Sequence, residues 1–112
     1  MYVLVDLGAD PPTAVLNERE DCTRLHVEVR GTTDQVSSRA PLDRALRDSG
    51  LGSLDGDDDA LLDLAHLRRA AGDGRPAGWE ADFDAMADYA RSEGWLDDDG
   101  SVRAHLVWLT AS

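Results

Sequence analysis

The chain has no lysine and no isoleucine, and it has only one asparagine, one phenylalanine and one cysteine among its 112 residues. Cys22 alone cannot form an internal disulfide or supply a zinc site built from several thiolates. No apolar run approaches the ~18 residues of a membrane-spanning helix, and the first residues lack the basic and apolar regions of a secretory signal. These absences argue against secreted, disulfide-stapled and membrane-spanning classes, and we expect a cytoplasmic protein.

Positive charge is scarce as well, since 11 arginines face 23 acidic residues and the net charge is -12. Residues 76–100 contain eight of the acids and one arginine, Arg91, so this stretch has a net charge of -7. Such an excess repels nucleic acid and anionic membrane, and it excludes them as expected partners. The missing lysine and isoleucine also fit a GC-rich coding sequence, so part of the acidity can reflect genome composition.

The apolar residues make up 42% of the chain and fall in periodic clusters, which predicts one globular domain over residues 1–112. The predicted strands cover residues 2–7, 13–17, 23–30 and 101–109. The predicted helices cover residues 41–49, 57–71 and 79–93. The resulting order, β-β-β-α-α-α-β, indicates an α+β fold with a mainly antiparallel sheet and helices packed on one of its faces.

Two local patterns determine where these elements begin and which way they face. In the third strand Leu25, Val27 and Val29 alternate with polar residues, which predicts one buried and one wet face. The acids at positions 57–59 predict the start of the second helix, because carboxylates there accept hydrogen bonds from free amides and face the positive end of the dipole. Its expected core face is Leu61, Leu64, Leu67 and Ala71.

The third helix carries the strongest candidate for a binding surface. Glu80, Asp84 and Asp88 recur at positions i, i+4 and i+8 on the flank away from the apolar stripe. Like charges at this spacing destabilise a helix by roughly 0.2–0.5 kcal/mol per pair, so their presence suggests a docking surface for a basic partner. Trp79 and Trp95, near the two ends, are the kind of residue that anchors interfaces. The alternative is a solvated acidic face with both tryptophans in the core.

The histidines offer a second candidate site. His26 and Glu28 share the polar face of one strand, and His105 lies on the polar face of the last strand. If these strands are neighbours, the three side chains converge as a plausible zinc or iron site. No close-spaced metal motif is present, so ordinary polar pairs on a wet face are the alternative. The metal interpretation implies a small metal-dependent or acid–base enzyme.

The sequence does not match other known patterns of ligand binding and catalysis. Asp55, Asp57 and Asp59 open like a calcium loop, but Ala60 and His66 stand where the loop needs glycine and glutamate. The sequence has no phosphate-binding loop, no nucleophile elbow and no dinucleotide fingerprint. We therefore assign no catalytic residue and expect no cofactor.

About twenty residues near the end are similar to the helix-to-wing part of winged-helix DNA-binding domains. The resemblance is carried by the segment 93–96, by Arg103 and by the segment 108–110. It implies DNA binding, but the acids of the preceding helix have the wrong sign for phosphate contacts. The resemblance therefore leaves only a hairpin that is suited to contact with another protein.

Taken together, the sequence favours a non-catalytic protein–protein interaction module that binds a basic partner through its acidic third helix. Within that class an inhibitor or immunity-type protein suits the small size and strong negative charge. A further alternative is a homodimer built on an exposed sheet edge or on Trp108 and Leu109.

Overall fold

The computed structural model of the protein describes residues 1–9, 11–18, 21–22, 25–31, 37–56, 58–72 and 76–109. The elements within these residues are β1 (Tyr2–Asp6), β2 (Thr13–Asn17), β3 (His26–Arg30), α1 (Arg39–Ser49), β4 (Gly52–Asp55), β5 (Asp59–Asp63), α2 (Leu64–Ala70), α3 (Trp79–Ser92) and β6 (Ser101–Trp108). The α+β class is confirmed: the fold combines three helices with a six-stranded sheet.

The six strands form one mixed sheet in the order β2-β1-β3-β6-β5-β4. β1 is antiparallel to β2, and β5 is antiparallel to both β4 and β6. β3, however, lies parallel to β1 on one side and to β6 on the other. The prediction of a mainly antiparallel sheet is wrong in this detail. Parallel strands need long crossover connections, so they leave no short turn signal in the sequence.

The predicted element order is also wrong between α1 and α2, where the chain forms the hairpin β4–β5 instead of a loop and the start of a helix. Ala60 and Leu62 are buried and alternate with half-buried neighbours, which is the period of a strand. α2 begins later, after Asp63. The Asp63 carboxylate caps it by accepting hydrogen bonds from the N–H groups of Ala65 (3.0 Å) and His66 (3.3 Å).

Alternation along the strands separates a buried face of the sheet from a wet one. The buried strand residues are Val3, Val5, Val27, Val29, Ala60, Leu62, Val102, Ala104 and Leu106. They form one hydrophobic cluster with helix residues such as Leu42, Leu46, Leu67 and Phe83. The alternation predicted for β3 and β6 is thereby confirmed. The histidines and the glutamate of these strands lie on the opposite face.

α1 ends where the sequence predicts and is tied to the hairpin by a carboxylate. Gly50 adopts the left-handed conformation (φ 77°), and its N–H donates to the carbonyl of Arg47 at 3.1 Å. Asp43 accepts hydrogen bonds from the N–H of Leu54 and from Nε of Arg47, both at 2.8 Å. Burial by itself raises the pKa of Asp43, but these two hydrogen bonds and the Arg47 charge hold it below its ordinary value.

Candidate functional site

The acids of residues 76–100 lie on α3 and on the segment that joins it to β6. α3 buries Trp79, Phe83 and Ala90, so its remaining faces meet solvent. Every one of the eight acidic residues is exposed. This acidic surface consists of Glu80, Asp82, Asp84, Asp88, Glu93, Asp97, Asp98 and Asp99.

Two members of the acidic surface are engaged within the protein by an arginine of α2. The guanidinium of Arg68 donates from Nη1 to Oε2 of Glu80 at 2.5 Å and from Nη2 to Oδ1 of Asp84 at 2.6 Å. It also lies 4.8 Å from the ring centroid of Phe83. The hydrogen bond to Asp84, followed by the charges of Asp84 and Glu80, raises the pKa of Arg68 despite its partial burial. We call this arrangement the Arg68 site.

The remaining acids on and after α3 make weaker ion-pair contacts within the protein. Asp88 lies 3.3 Å from Nη1 of Arg91, one turn further along the same exposed helix face. No ion pair joins Asp82, Glu93 or Asp98 to an arginine in the part of the chain that the structure describes. Sequence reasoning noted Arg91 as the one arginine among these acids but missed Arg68, because Arg68 lies on another helix.

The two candidate tryptophans have different environments. Trp79 is 2% exposed, and its ring stacks on Phe83 with centroids 4.9 Å apart. It is part of the core and offers almost no surface to a partner. Trp95 is 43% exposed and meets Tyr89, which is 59% exposed, in an edge-to-face contact at 5.7 Å. Sequence reasoning did not single out Tyr89.

Tyr89 and Trp95 stand at the opening of a cleft of about 380 Å³ between α3 and the sheet. Its apolar lining comes from Leu25, Leu64, Met86, Ala87 and Val102. The cleft forms where β6 changes neighbours: β3 pairs with its second half, and Leu96 bridges to Val102 in its first half. Asp59, Arg103 and His105 form its polar wall.

The strand pairing on which the histidine prediction depended is present. β3 and β6 are neighbours, and His26 stands directly beside His105 in the register of the two strands. Nε2 of His26 lies 3.5 Å from Oε2 of Glu28, and Nδ1 of His105 lies 3.6 Å from Oδ1 of Asp59. Tyr2 stacks on His26 with ring centroids 5.2 Å apart. The side chains therefore form two His–carboxylate pairs.

Within the described residues, no three His, Cys, Asp or Glu side chains are placed to hold a metal ion. Of the aspartates that open like a calcium loop, Asp57 lies outside the described residues. Asp55 and, in another loop, Asp97 make contacts within the protein. Asp55 lies 3.2 Å from Nε of Arg103. Oδ1 of Asp97 accepts hydrogen bonds from the N–H groups of Asp99 (2.9 Å) and Ser101 (3.0 Å), which closes the turn before β6.

Cys22 has the environment of an unreactive thiol. Burial is the largest cause that raises its pKa, and the charges of Asp82 and Asp21 raise it further, while the amino terminus lowers it. A raised pKa keeps the thiol protonated and weakens it as a nucleophile.

No family model, no curated protein and no solved structure matches this chain. Among the described residues, no helix combines the length and the apolar character needed to cross a membrane.

Proposed function

We infer that this protein is a non-catalytic interaction module that binds a basic protein partner through the acidic surface. The observation that carries the inference is the exposure of all eight acids on and after α3, beside two exposed aromatic side chains. A surface with one dominant sign of charge speeds encounter with an oppositely charged partner, and exposed aromatic rings supply contact energy. Trp95 serves as the aromatic anchor, whereas Trp79 supports the helix from inside.

The members of the acidic surface contribute unequally in this proposal. Glu80 and Asp84 already share the Arg68 guanidinium, so part of their charge is balanced within the protein. Asp82, Asp88, Glu93 and the acids of the following turn provide the larger share of attraction. Within this class we favour an inhibitor or immunity-type protein that acts in the cytoplasm and masks a basic surface of its target.

The test is capture of partners from host lysate on the immobilised protein, at low and at moderate salt. The informative variant combines Asp88→Asn with Asp98→Asn, because neither residue takes part in the Arg68 site. A matched control combines Asp48→Asn with Asp58→Asn, two exposed acids outside the acidic surface. We expect one basic protein that is captured at low salt, is weakened by salt, and is lost on the first variant only. Binding that ignores both salt and the variant contradicts the proposal.

The Asp84→Asn change is less suitable for this test than the sequence suggests. It removes a surface charge and also one of the two carboxylates that hold Arg68. A loss of binding in that variant would not distinguish a weakened surface from an altered contact between α2 and α3.

The register of β3 and β6 supports a second candidate, a metal site formed by His26, Glu28 and His105. The present side-chain positions favour two separate pairs, so a bound ion would require new rotamers. The candidate predicts that stoichiometric Zn²⁺ or Ni²⁺ raises the melting temperature, and that His26→Ala with His105→Ala abolishes the rise. An unchanged melting temperature would exclude it.

A further inference from the structure

The cleft beneath α3 has the size and lining of a binding site. Its volume of about 380 Å³ falls within the range of pockets that enclose small ligands or side chains. Tyr89 and Trp95 both line it, and their ring planes meet at 74°. Two aromatic rings set at a steep angle and open to solvent form two walls of the kind of cage that receives organic cations.

The Arg68 site shows which groups of this chain surround a guanidinium. There an aromatic ring and two carboxylates of α3 surround the cation. The cleft presents the same two kinds of group in other numbers, namely two aromatic rings and the one carboxylate of Asp59. Within the described part of the chain, no guanidinium stacks on Tyr89 or Trp95. The cleft therefore has the components of a guanidinium site, and none of the described arginines lies against its two rings.

The charges around the cleft favour a cationic occupant over an anionic one. Arg103 lines the cleft, but its guanidinium is balanced by Asp55 at 3.2 Å. Among the described residues, the Asp59 carboxylate has one ion-pair partner, the His105 imidazole, 3.6 Å away. Asp82 and Glu93 lie on the Tyr89 side of α3, seven residues before it and four after it. With a net charge of -12 on the chain, an anion would have to enter against the field.

We propose that this cleft binds an arginine side chain of the basic partner, with the guanidinium against Tyr89 and Trp95 and hydrogen-bonded to Asp59. The aliphatic part of the arginine lies along Leu25, Met86 and Val102. This proposal rests on the proposed function for the source of the arginine, but the recognition chemistry can be tested without any partner. Arginine suits the site better than lysine, because its planar head stacks on rings and pairs with a carboxylate through two N–H groups.

The direct test is an NMR titration of the ¹⁵N-labelled protein with Nα-acetylarginine methylamide. The matched probe is the citrulline derivative, which has the same shape without the charge. We expect millimolar binding of the arginine probe, with the largest shifts at the Trp95 indole N–H and at Tyr89 and Met86, and much weaker binding of the citrulline probe. Equal binding of the two probes would overturn the proposal.

Variants locate the site within the protein. Trp95→Ala and Tyr89→Ala should each weaken the arginine probe about two- to fivefold, since both rings are exposed and their loss leaves the core intact. Asp59→Asn should weaken it as well, whereas the neighbouring exposed acid provides a control in Asp58→Asn, which should not. Tighter binding of an anionic probe, Nα-acetylglutamate methylamide, would show that Arg103 defines the cleft and would overturn the proposal.

The titration separates this proposal from the proposed function. If the arginine probe shifts only Glu80, Asp84 and Asp88, or fails to bind, the cleft is not an arginine site. A partner captured in a salt-dependent way would then still support the acidic surface. Conversely, binding in the cleft with no captured partner would leave the arginine site standing and contradict the wider function.

Discussion

The two flanks of α3 use similar residues in different ways. On the side of α2, Arg68 lies over Phe83 and pairs with two carboxylates. The cation, the ring and the acids therefore have their partners within the chain. On the opposite side, Tyr89 and Trp95 contact each other and remain about half exposed at the opening of a cleft. The first flank fastens the helix to its neighbour. The second leaves its aromatic surface available.

This difference shows that composition alone does not identify a binding surface. All of the acids in residues 76–100 are exposed, yet Glu80 and Asp84 have a cation supplied by α2, and Asp82 and Glu93 have none within the described residues. Likewise two tryptophans of the same segment divide between the core and the surface. The groups available to a partner are those that the fold has not already paired or buried.

The largest effect on stability should come from removing the aromatic ring on the α2 side of α3. Phe83 is fully buried, stacks on Trp79 and supports Arg68, so Phe83→Ala should cost about 3–5 kcal/mol in the free energy of unfolding. On the opposite side of α3, Tyr89→Ala should lower the free energy of unfolding by about 1 kcal/mol or less, because its ring is largely exposed. Urea denaturation of the two variants measures the contrast, and equal losses would contradict it.

A smaller loss of stability is expected at Asp43, a carboxylate away from α3 that accepts hydrogen bonds from two donors. Asp43→Ala should cost about 1–2 kcal/mol at neutral pH, because the N–H of Leu54 and the guanidinium of Arg47 lose their acceptor. The pKa of Asp43 is lower in the folded protein than in the unfolded chain. Its contribution is therefore fully present above the unfolded pKa and is lost as the pH falls through the folded pKa.

The pH dependence of stability provides the measurement for Asp43. Denaturation curves taken from neutral pH down to about pH 3 should converge for the wild type and the Asp43→Ala variant at the acidic end. Curves that stay parallel over this range would show that the ionised carboxylate contributes nothing.

The smallest effect should come from removing the cation of the Arg68 site. Arg68→Met should cost about 1 kcal/mol or less, since all three partners are substantially exposed and water screens their charges. The loss should shrink at high salt. Arg91→Met, which removes a single exposed pair with Asp88, should be close to neutral. A larger loss for Arg91 than for Arg68 would reverse the ranking of the two contacts.

Local periodicity predicted most of the elements of the fold. β1, β2, β3, α1, α3 and β6 lie close to their expected positions, because each has a clear period and a recognisable end. The hairpin β4–β5 was missed because Leu61, Leu64 and Leu67 also fit one face of a helix, and because the preceding acids suit a helix start. Asp63 has the capping role that was expected of those earlier acids.

Contacts between elements account for the rest of what sequence reasoning missed. Arg68 reaches Glu80 and Asp84 across the connection between two helices, 12 and 16 positions away, where helical spacing carries no information. The cleft depends on where β3 begins beside β6 and on the bridge of Leu96 to the first half of β6, which are properties of strand pairing. The histidine register could be stated only as a condition, and the structure supplied the pairing of β3 with β6.

The position of β6 in the sheet has a consequence for how the protein reaches its fold. β6 follows every other described element, yet it lies between β3 and β5 and joins β2-β1-β3 to β5-β4. Before it is in place, the two groups of strands share no backbone hydrogen bonds, and each has an unpaired edge. The other described elements must therefore all be synthesised before the sheet can close. Closure of the sheet then waits for β6, and a nascent chain halted before β6 would be prone to associate with others.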